Sequence, residues 1–197
     1  MKTILFLIII SVSIPQIHQS ETWELAKNKK GIKVYVSQIQ NSAYYAFKAI
    51  MSVKATEAEI LKILKEVNKY SEWFAFTASA KLISKKTDEQ DFFMKTDYPW
   101  PFSNECMHYN MKFVKTPNNK QKIIISGINK STNCKYSLKK ADGYILLEPN
   151  GAYTKISYYL HSEPSQNIPT WLINPNIHEM PYQTFVSLRN KLNALNH

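Results

Sequence analysis

The stretch that decides the fold class reads PYQTFVSLRNKLNAL and occupies residues 181–195. Its large apolar residues recur at spacings of 3, 4 and 3, at Phe185, Leu188, Leu192 and Leu195. This spacing places one apolar stripe along a helix, and Pro181 occupies a favoured first helical position. The sequence therefore predicts a long C-terminal helix that buries one face.

Most of the chain before this helix alternates between apolar and polar residues, which is the period of half-buried strands. The clearest alternation lies in residues 32–36, 45–53, 107–113 and 153–161. Asn150-Gly151 fits a tight hairpin turn, because both residues tolerate a positive φ. About five or six strands are expected after residue 77. We therefore predict an α+β fold in which helices pack on one antiparallel sheet.

Two shorter helices are expected nearer the N-terminus. Thr56 and Glu59 fit a capping box, in which the Thr56 hydroxyl accepts from the Glu59 amide and the Glu59 carboxylate reaches back. The apolar residues that follow keep helical spacing through 57–68, so one face of this helix is apolar. Residues 23–26 predict a brief helix before the first strand.

The composition indicates one globular domain. Hydrophobic residues make up 44% of the 197 residues and charged residues 20%, which argues against a disordered or coiled-coil chain. The 25 basic and 15 acidic residues give a net charge of +10, but Arg189 is the only arginine. Because nucleic-acid readers rely on arginine, we expect a solvated basic surface and no nucleic-acid partner. Transient contact with an anionic membrane surface is compatible with this charge.

The first twenty residues are typical of a secretory signal peptide. One basic residue precedes the 11-residue apolar segment Ile4–Ile14, which is shorter than the roughly 20 residues that cross a bilayer. We expect cleavage near Ser20. We therefore expect residues 1–20 to be removed and residues 21–197 to form a single secreted or periplasmic domain. A buried N-terminal strand or helix is the alternative.

Cys106 and Cys134 are the two cysteines of the chain. In an oxidising compartment they can form a disulfide, but spacing alone does not place their Cα atoms close enough, so two free buried thiols are an equal alternative. Two cysteines are too few for a cysteine zinc site, and their spacing matches no metal motif. We expect no metal and no cofactor.

A long helix laid across a curved sheet can leave a ligand cavity between them. The residues that would line it are soft and aromatic: Met107, Tyr109 and Met111 on one strand, with Phe185 and Leu188 on the last helix. The flexible side chain of methionine adapts to ligands of irregular shape. The alternative is that these side chains simply fill the core.

Five short segments resemble motifs of the START (StAR-related lipid-transfer) domain family, in the right order over about residues 22–195. They are Gly31–Tyr35, Pro99–Asn104, Gly143–Pro149, Tyr158–Pro164 and Ile168–Asn174. The resemblance implies the helix-grip fold: a curved antiparallel sheet wrapped around the C-terminal helix, with an internal apolar cavity the size of a lipid. Gly127–Lys135 would then be the rim loop at the mouth of this tunnel.

The resemblance also implies a function. Family members bind one lipid or other apolar molecule and usually carry no catalytic residues, so we expect a monomeric, non-enzymatic carrier. The expected cavity residues are Met107, Tyr109, Met111, Phe113, Trp171, Phe185 and Leu188, and the candidate head-group contacts are His161 and Arg189. Sterol carriers of the family place a buried arginine near the tunnel base, whereas the one arginine here is on the last helix. Sterol specificity is therefore not expected.

A small-molecule cyclase or hydrolase on the same fold is the alternative function. It would need a polar group inside the cavity, so it depends on whether Glu105, His108 or His161 points inward. A structural hydrogen bond is the favoured role for His161, and surface exposure is expected for Asp97, Glu105 and His108. The sequence contains no serine-hydrolase, zinc-protease or phosphate-loop motif.

Overall fold

The computed structural model describes residues 22–130 and 132–195. The predicted signal segment, residues 1–20, lies outside the described residues. The helices are α1 Glu57–Lys65, α2 Tyr70–Trp73, α3 Thr170–Ile173 and α4 Glu179–Leu195, with 3-10 turns at Val67–Lys69 and Asn174–Asn176. The strands are β1 Glu24–Lys29, β2 Ile32–Gln38, β3 Tyr45–Val53, β4 Thr77–Lys85, β5 Glu89–Thr96, β6 Glu105–Lys115, β7 Gln121–Ile128, β8 Tyr136–Ser137, β9 Lys140–Asn150 and β10 Tyr153–Glu163.

The ten strands form one open sheet in the order β1-β2-β3-β10-β9-β7-β6-β5-β4. These neighbours pair antiparallel, while the short β8 runs parallel to the start of β6. The predicted α+β fold with an antiparallel sheet is confirmed. Seven strands lie from residue 77 onward, one or two more than the five or six expected, and the short β8 is a strand that the sequence pattern did not indicate.

One face of the sheet carries the core, because side chains alternate between faces along each strand. In β10 the buried residues Ile156, Tyr158 and Leu160 lie on this concave face. They pair with three buried residues of β3, at Met51, Ala49 and Phe47. The other strands continue the same apolar surface around the sheet.

Helix α4 buries its apolar stripe against this concave face. Phe185, Leu188 and Leu192 are almost fully buried in the same core, whereas Leu195, at the end of the helix, is half exposed. The predicted C-terminal helix and its buried face are confirmed, but the helix begins at Glu179, so Pro181 is its third residue and not its first. Burying one such side chain contributes about 1.5–3 kcal/mol to the stability of the fold, so this apolar stripe holds the helix against the sheet.

Helix α1 begins with the predicted capping box. The Thr56 hydroxyl accepts from the Glu59 amide at 3.3 Å, and the Glu59 carboxylate accepts from the Thr56 amide at 2.7 Å. The helix buries Ile60, Ile63 and Leu64. It ends at Lys65, earlier than the predicted residue 68, and the chain continues into a 3-10 turn.

The brief helix predicted at residues 23–26 is wrong, since this segment belongs to β1. Lys30 and Gly31 both have positive φ, at 52° and 71°, and form the tight turn of a hairpin. The turn folds β1 back onto β2, so that Glu24 pairs with Val36. Pairing with a neighbouring strand overrides the weak local helical pattern.

A disulfide joins Cys106 to Cys134, with their Cα atoms 6.2 Å apart. It ties the segment after β7 to the start of β6, and the Leu138 amide donates to the Cys106 carbonyl beside it at 3.0 Å. The predicted rim loop, Gly127–Lys135, is therefore anchored to the sheet near one end. None of the helices in the described ranges is long and apolar enough to cross a membrane.

Candidate functional site

A small cavity, here called the inner cavity, lies between the concave face of the sheet and the start of α4. Its volume is about 60 Å³. The lining side chains come mainly from the α2–β4 connection, β5 and the loop after it, β6, β10 and α4. Most are aromatic or sulfur-containing: Phe74, Phe76, Met94, Tyr98, Tyr109, Tyr158 and Met180. Leu160 also lines the cavity. The surroundings of the cavity are therefore apolar and adaptable.

Three tyrosines bring the principal polar groups to this cavity. Tyr109 and Tyr158 are buried, and Tyr98 is partly exposed at its edge. Burial raises the pKa of all three phenols well above the ordinary value, so they remain neutral at physiological pH. A neutral phenol both donates and accepts a hydrogen bond.

The buried carboxylate of Glu105 lies at the same end of β6. The amides of Ser165 and Gln166 donate to it at 2.9–3.0 Å, as do the Ser165 hydroxyl at 3.2 Å and the Gln166 side-chain amide at 3.0 Å. The Gln166 side chain also bonds the backbone of Ser103. Glu105 thus joins the segment after β10 to the loop before β6.

The expectation of surface exposure is wrong for Glu105, which is 0% exposed. Its inward position follows from the alternation of β6, since it shares the concave face with Met107 and Tyr109. Asp97 is exposed, as expected. His108 lies on the opposite face of β6, where its ring packs edge-on against Phe93 with centroids 5.6 Å apart.

Six of the seven predicted cavity residues occupy three kinds of position. Tyr109 lines the inner cavity. Four others are buried in the core between the sheet and α4: Met107, Met111, Phe185 and Leu188. Phe113 is half-buried towards the far end of β6, with the Lys65 ammonium 4.6 Å from its ring centroid.

The structure places Trp171 and Arg189 away from the cavity. Trp171 belongs to the short helix α3, which buries none of its side chains, and it is 74% exposed. The Arg189 guanidinium donates to the Lys30 carbonyl at 2.8 Å, which joins α4 to the turn between β1 and β2. This position follows from helical geometry, because Arg189 directly follows the buried Leu188 and points in another direction.

His161 is buried, but it lies on the opposite face of β10 from Leu160, which lines the cavity. Its Nε2 atom is 3.1 Å from the Ser42 hydroxyl, in the loop between β2 and β3. Desolvation lowers its pKa, opposed by the carboxylate of Glu163. This geometry gives His161 a structural hydrogen bond outside the inner cavity.

Among the cavity residues, sequence reasoning found Tyr109 and missed the rest, including Phe74, Tyr98, Tyr158 and Met180. Tyr158 carried a usable signal, since the alternation of 153–161 puts it on one face with Ile156 and Leu160. Nothing in the pattern near Tyr98 indicates a cavity, because the loop that contains it has no periodicity. Only the packing of that loop against the sheet brings Tyr98 to the site.

Two larger hollows, of about 320 and 330 Å³, lie at the surface. One lies beside β1–β3 and the 3-10 turn before α4, and the other lies between α1 and the end of α4. The second is lined in part by charged side chains, at Lys62, Glu66, Lys69 and Lys191. Open hollows of this kind do not exclude water as the interior of a helix-grip fold does, so we favour the inner cavity as the site.

Comparisons with known proteins point to one superfamily. A crystal structure of a STAR-related lipid transfer protein from Xanthomonas axonopodis matches with a TM-score of 0.81 at 28% identity, covering 87% of this chain and 98% of the other. The chain folds as a START-like domain. Human StAR-related lipid transfer protein 5 matches with a TM-score of 0.79 at 10% identity, over 89% and 88% of the two chains, which shows the shared fold alone.

Two other matches are a relative by sequence and a further solved structure. An uncharacterized protein of Pseudomonas aeruginosa is 28% identical over 177 residues, covering 86% of each chain. The Zhui aromatase/cyclase of Streptomyces matches with a TM-score of 0.51 at 11% identity, over 75% and 90% of the chains, again a likeness of fold. No family model matches the sequence. The neighbours thus share a ligand-binding helix-grip fold.

The inner cavity of this START-like domain is much smaller than the lipid-sized tunnel that the resemblance implies. Ligand pockets occupy about 300–1,000 Å³, whereas 60 Å³ accommodates only about two water molecules. The difference arises because large rings fill the interior: Tyr158 packs against Phe47, Phe74 and Phe185, with ring centroids 5.0–6.4 Å apart. A larger ligand would have to displace these or neighbouring side chains.

Proposed function

We propose that this START-like domain binds one lipid or other apolar molecule between its sheet and α4. The observation that carries the proposal is the inner cavity, which is lined by aromatic and sulfur-containing side chains under the start of α4. The likeness to a STAR-related lipid transfer protein, over nearly the whole of both chains, supports it.

Ligand entry in this proposal enlarges the inner cavity. Met94 and Met180 line it, and unbranched methionine side chains change conformation at little cost. The disulfide between Cys106 and Cys134 anchors the rim loop on one side. Movement therefore falls mainly on the start of α4 and on the loops at residues 97–104 and 164–169.

The energetics suit exchange with a membrane. Each buried methylene contributes about 0.8 kcal/mol, so a 14-carbon chain gains on the order of 10 kcal/mol in an apolar interior. The alkyl chain loses a similar free energy when it leaves a bilayer. The free energies of the alkyl chain in the two environments are therefore nearly equal, and exchange is easy provided that the alkyl chain does not cross bulk water. The domain must consequently contact the membrane while it opens.

Two exposed tryptophans support such contact. Trp100 is 92% exposed at the tip of the loop that also carries Tyr98, and Trp171 is 74% exposed in α3. The Gln166 side chain bonds Ser103, so the two segments that carry these tryptophans are joined. Tryptophan favours the membrane interface, and the net charge of +10 favours anionic lipids. We infer that this edge of the domain meets the membrane transiently.

We also propose that the protein is secreted or periplasmic. The apolar N-terminal segment of the sequence supports export, and the disulfide is typical of an oxidising compartment. N-terminal sequencing of protein from separated cell fractions tests this. An uncleaved chain found only in the cytoplasm would contradict it.

Native mass spectrometry of the purified protein tests ligand binding directly. We expect one copurifying apolar molecule per chain, or uptake of one fluorescent fatty acid or phospholipid from vesicles. Tyr109→Trp should fill the inner cavity and reduce uptake at least several-fold. Phe93→Trp enlarges a ring on the opposite face of the sheet and serves as the matched control. No bound molecule and no uptake by the unmodified protein would refute the proposal.

A further inference from the structure

Tyr98, Tyr109 and Tyr158 all line the inner cavity, and their hydroxyls have no hydrogen-bond partner among the described residues. By contrast, the buried hydroxyl of Tyr70 donates to the Leu64 carbonyl. The three cavity tyrosines therefore differ from a tyrosine whose hydroxyl is used by the fold.

The unpaired hydroxyls of these three tyrosines are not fully enclosed by protein. In the ranges 22–130 and 132–195, Gln90 Oε1 is the one side-chain oxygen or nitrogen that is fully buried and has no hydrogen-bond partner. The hydroxyl oxygens of the three tyrosines also lack a hydrogen-bond partner, but they are not among such fully buried atoms. Each of them therefore keeps some accessible surface. All three residues also line the inner cavity.

The cavity supplies these donors with few acceptors. Most of its other lining is apolar, apart from Thr96 and Ser162. A carboxylate has about four lone-pair positions, and that of Glu105 already accepts five hydrogen bonds from Ser165 and Gln166. Glu105 directly follows Asn104, whose side chain accepts from the Tyr98 amide at 3.1 Å, so its negative charge opposes a second anion near Tyr98.

We propose that the inner cavity selects an uncharged apolar ligand that carries a hydrogen-bond-accepting oxygen, such as a ketone or an ester. Tyr98, Tyr109 and Tyr158 donate to that oxygen and act as specificity-determining residues. A plain hydrocarbon would leave the three donors unpaired, and an anionic head group would meet the charge of Glu105. The inference rests on the proposed function, because it names the ligand class for the same cavity.

Two isosteric probes test this selection: 2-undecanone, and 2-methyl-1-undecene, in which a methylene replaces the carbonyl oxygen. Equilibrium dialysis followed by gas chromatography measures both affinities for the whole protein. We expect the ketone to bind at least about tenfold more tightly than the alkene. Undecanoate, the anionic probe, should bind more weakly than the ketone.

Single Tyr98→Phe, Tyr109→Phe and Tyr158→Phe changes then identify the donors. At least one should reduce the ketone-to-alkene affinity ratio by about two- to tenfold while leaving the alkene affinity unchanged. Tyr144→Phe is the matched control, because Tyr144 stacks on Tyr159 outside the cavity. Circular dichroism confirms that each variant is folded, and the three positions are independent tests.

The outcomes separate the two proposals. Equal binding of ketone and alkene would overturn the selection but leave the proposed function standing, as would tightest binding of undecanoate. An unchanged ratio in all three phenylalanine variants would overturn the role of the tyrosines. Binding of none of the probes, together with no uptake from vesicles, would overturn the proposed function itself.

Discussion

Replacing the carboxylate of Glu105 by an amide, as Glu105→Gln, should destabilise the fold by about 3 kcal/mol. One oxygen of Glu105 accepts four hydrogen bonds and the other accepts one, all from Ser165 and Gln166. Hydrogen bonds to a charged group contribute about 1.5–3 kcal/mol, against about 0.5–1.5 for neutral pairs. Weakening four bonds by about 1 kcal/mol each is partly offset, because a neutral amide costs less to bury.

The second carboxylate oxygen of Glu105 adds to the loss of stability that we expect in Glu105→Gln. In the variant an NH₂ group replaces it, and this donor would face the Ser165 amide, itself a donor at 2.9 Å. Exchanging the oxygen and the NH₂ group of the side-chain amide would not avoid this, because the NH₂ group would then face the four hydrogen bonds made to the first oxygen. The segment at 165–166 would therefore loosen, and with it the edge of the inner cavity.

Urea unfolding measures the effect. With a slope of about 2 kcal/mol per molar, a loss of about 3 kcal/mol lowers the midpoint by roughly 1.5 M. Glu148→Gln makes the same chemical change at a partly exposed carboxylate that pairs with Lys120 and Lys155, and it should cost less than about 1 kcal/mol. Equal midpoint shifts in the two variants would refute the argument that burial gives Glu105 its role.

Two further predictions concern the disulfide and His161. Replacing both Cys106 and Cys134 by serine should destabilise the fold by about 3–4 kcal/mol, because the disulfide closes a loop with a sequence separation of 28; an unchanged urea midpoint would contradict this. Desolvation lowers the pKa of His161, so the unfolded chain binds the proton more readily and stability falls as the pH drops through about 6.5. His161→Gln should therefore show a smaller loss of stability between pH 7.5 and 5.5 than the parent, and an identical loss would argue against this contribution.

Local pattern predicted much of the fold. The capping box at Thr56 and Glu59 is confirmed because it needs only residues three apart, and the stripe on α4 is confirmed because helical spacing is local as well. The alternation of 107–113 correctly indicates one inward face of β6. The prediction failed at residues 23–26, where pairing with β2 decides the structure.

The site was less accessible to such reasoning. Met107 and Met111 share a face with Tyr109, but only Tyr109 reaches the inner cavity, because the position of a void along a strand depends on which rings the neighbouring elements insert. Trp171 lies in a motif-like stretch and is nevertheless exposed. The burial of Glu105 depends on donors sixty residues away in the chain, at Ser165 and Gln166.

By itself, the amino-acid order determined which segments are strands and helices and which face of each is apolar, since both properties depend on spacing within a few residues. Only the tertiary structure decided how much space remains between α4 and the sheet. That remaining volume is a small difference between the volume that the backbone encloses and the volume of the side chains that fill it. These side chains come from elements far apart in the chain. For the same reason, the meeting of Tyr98, Tyr109 and Tyr158 became visible only once the chain was folded.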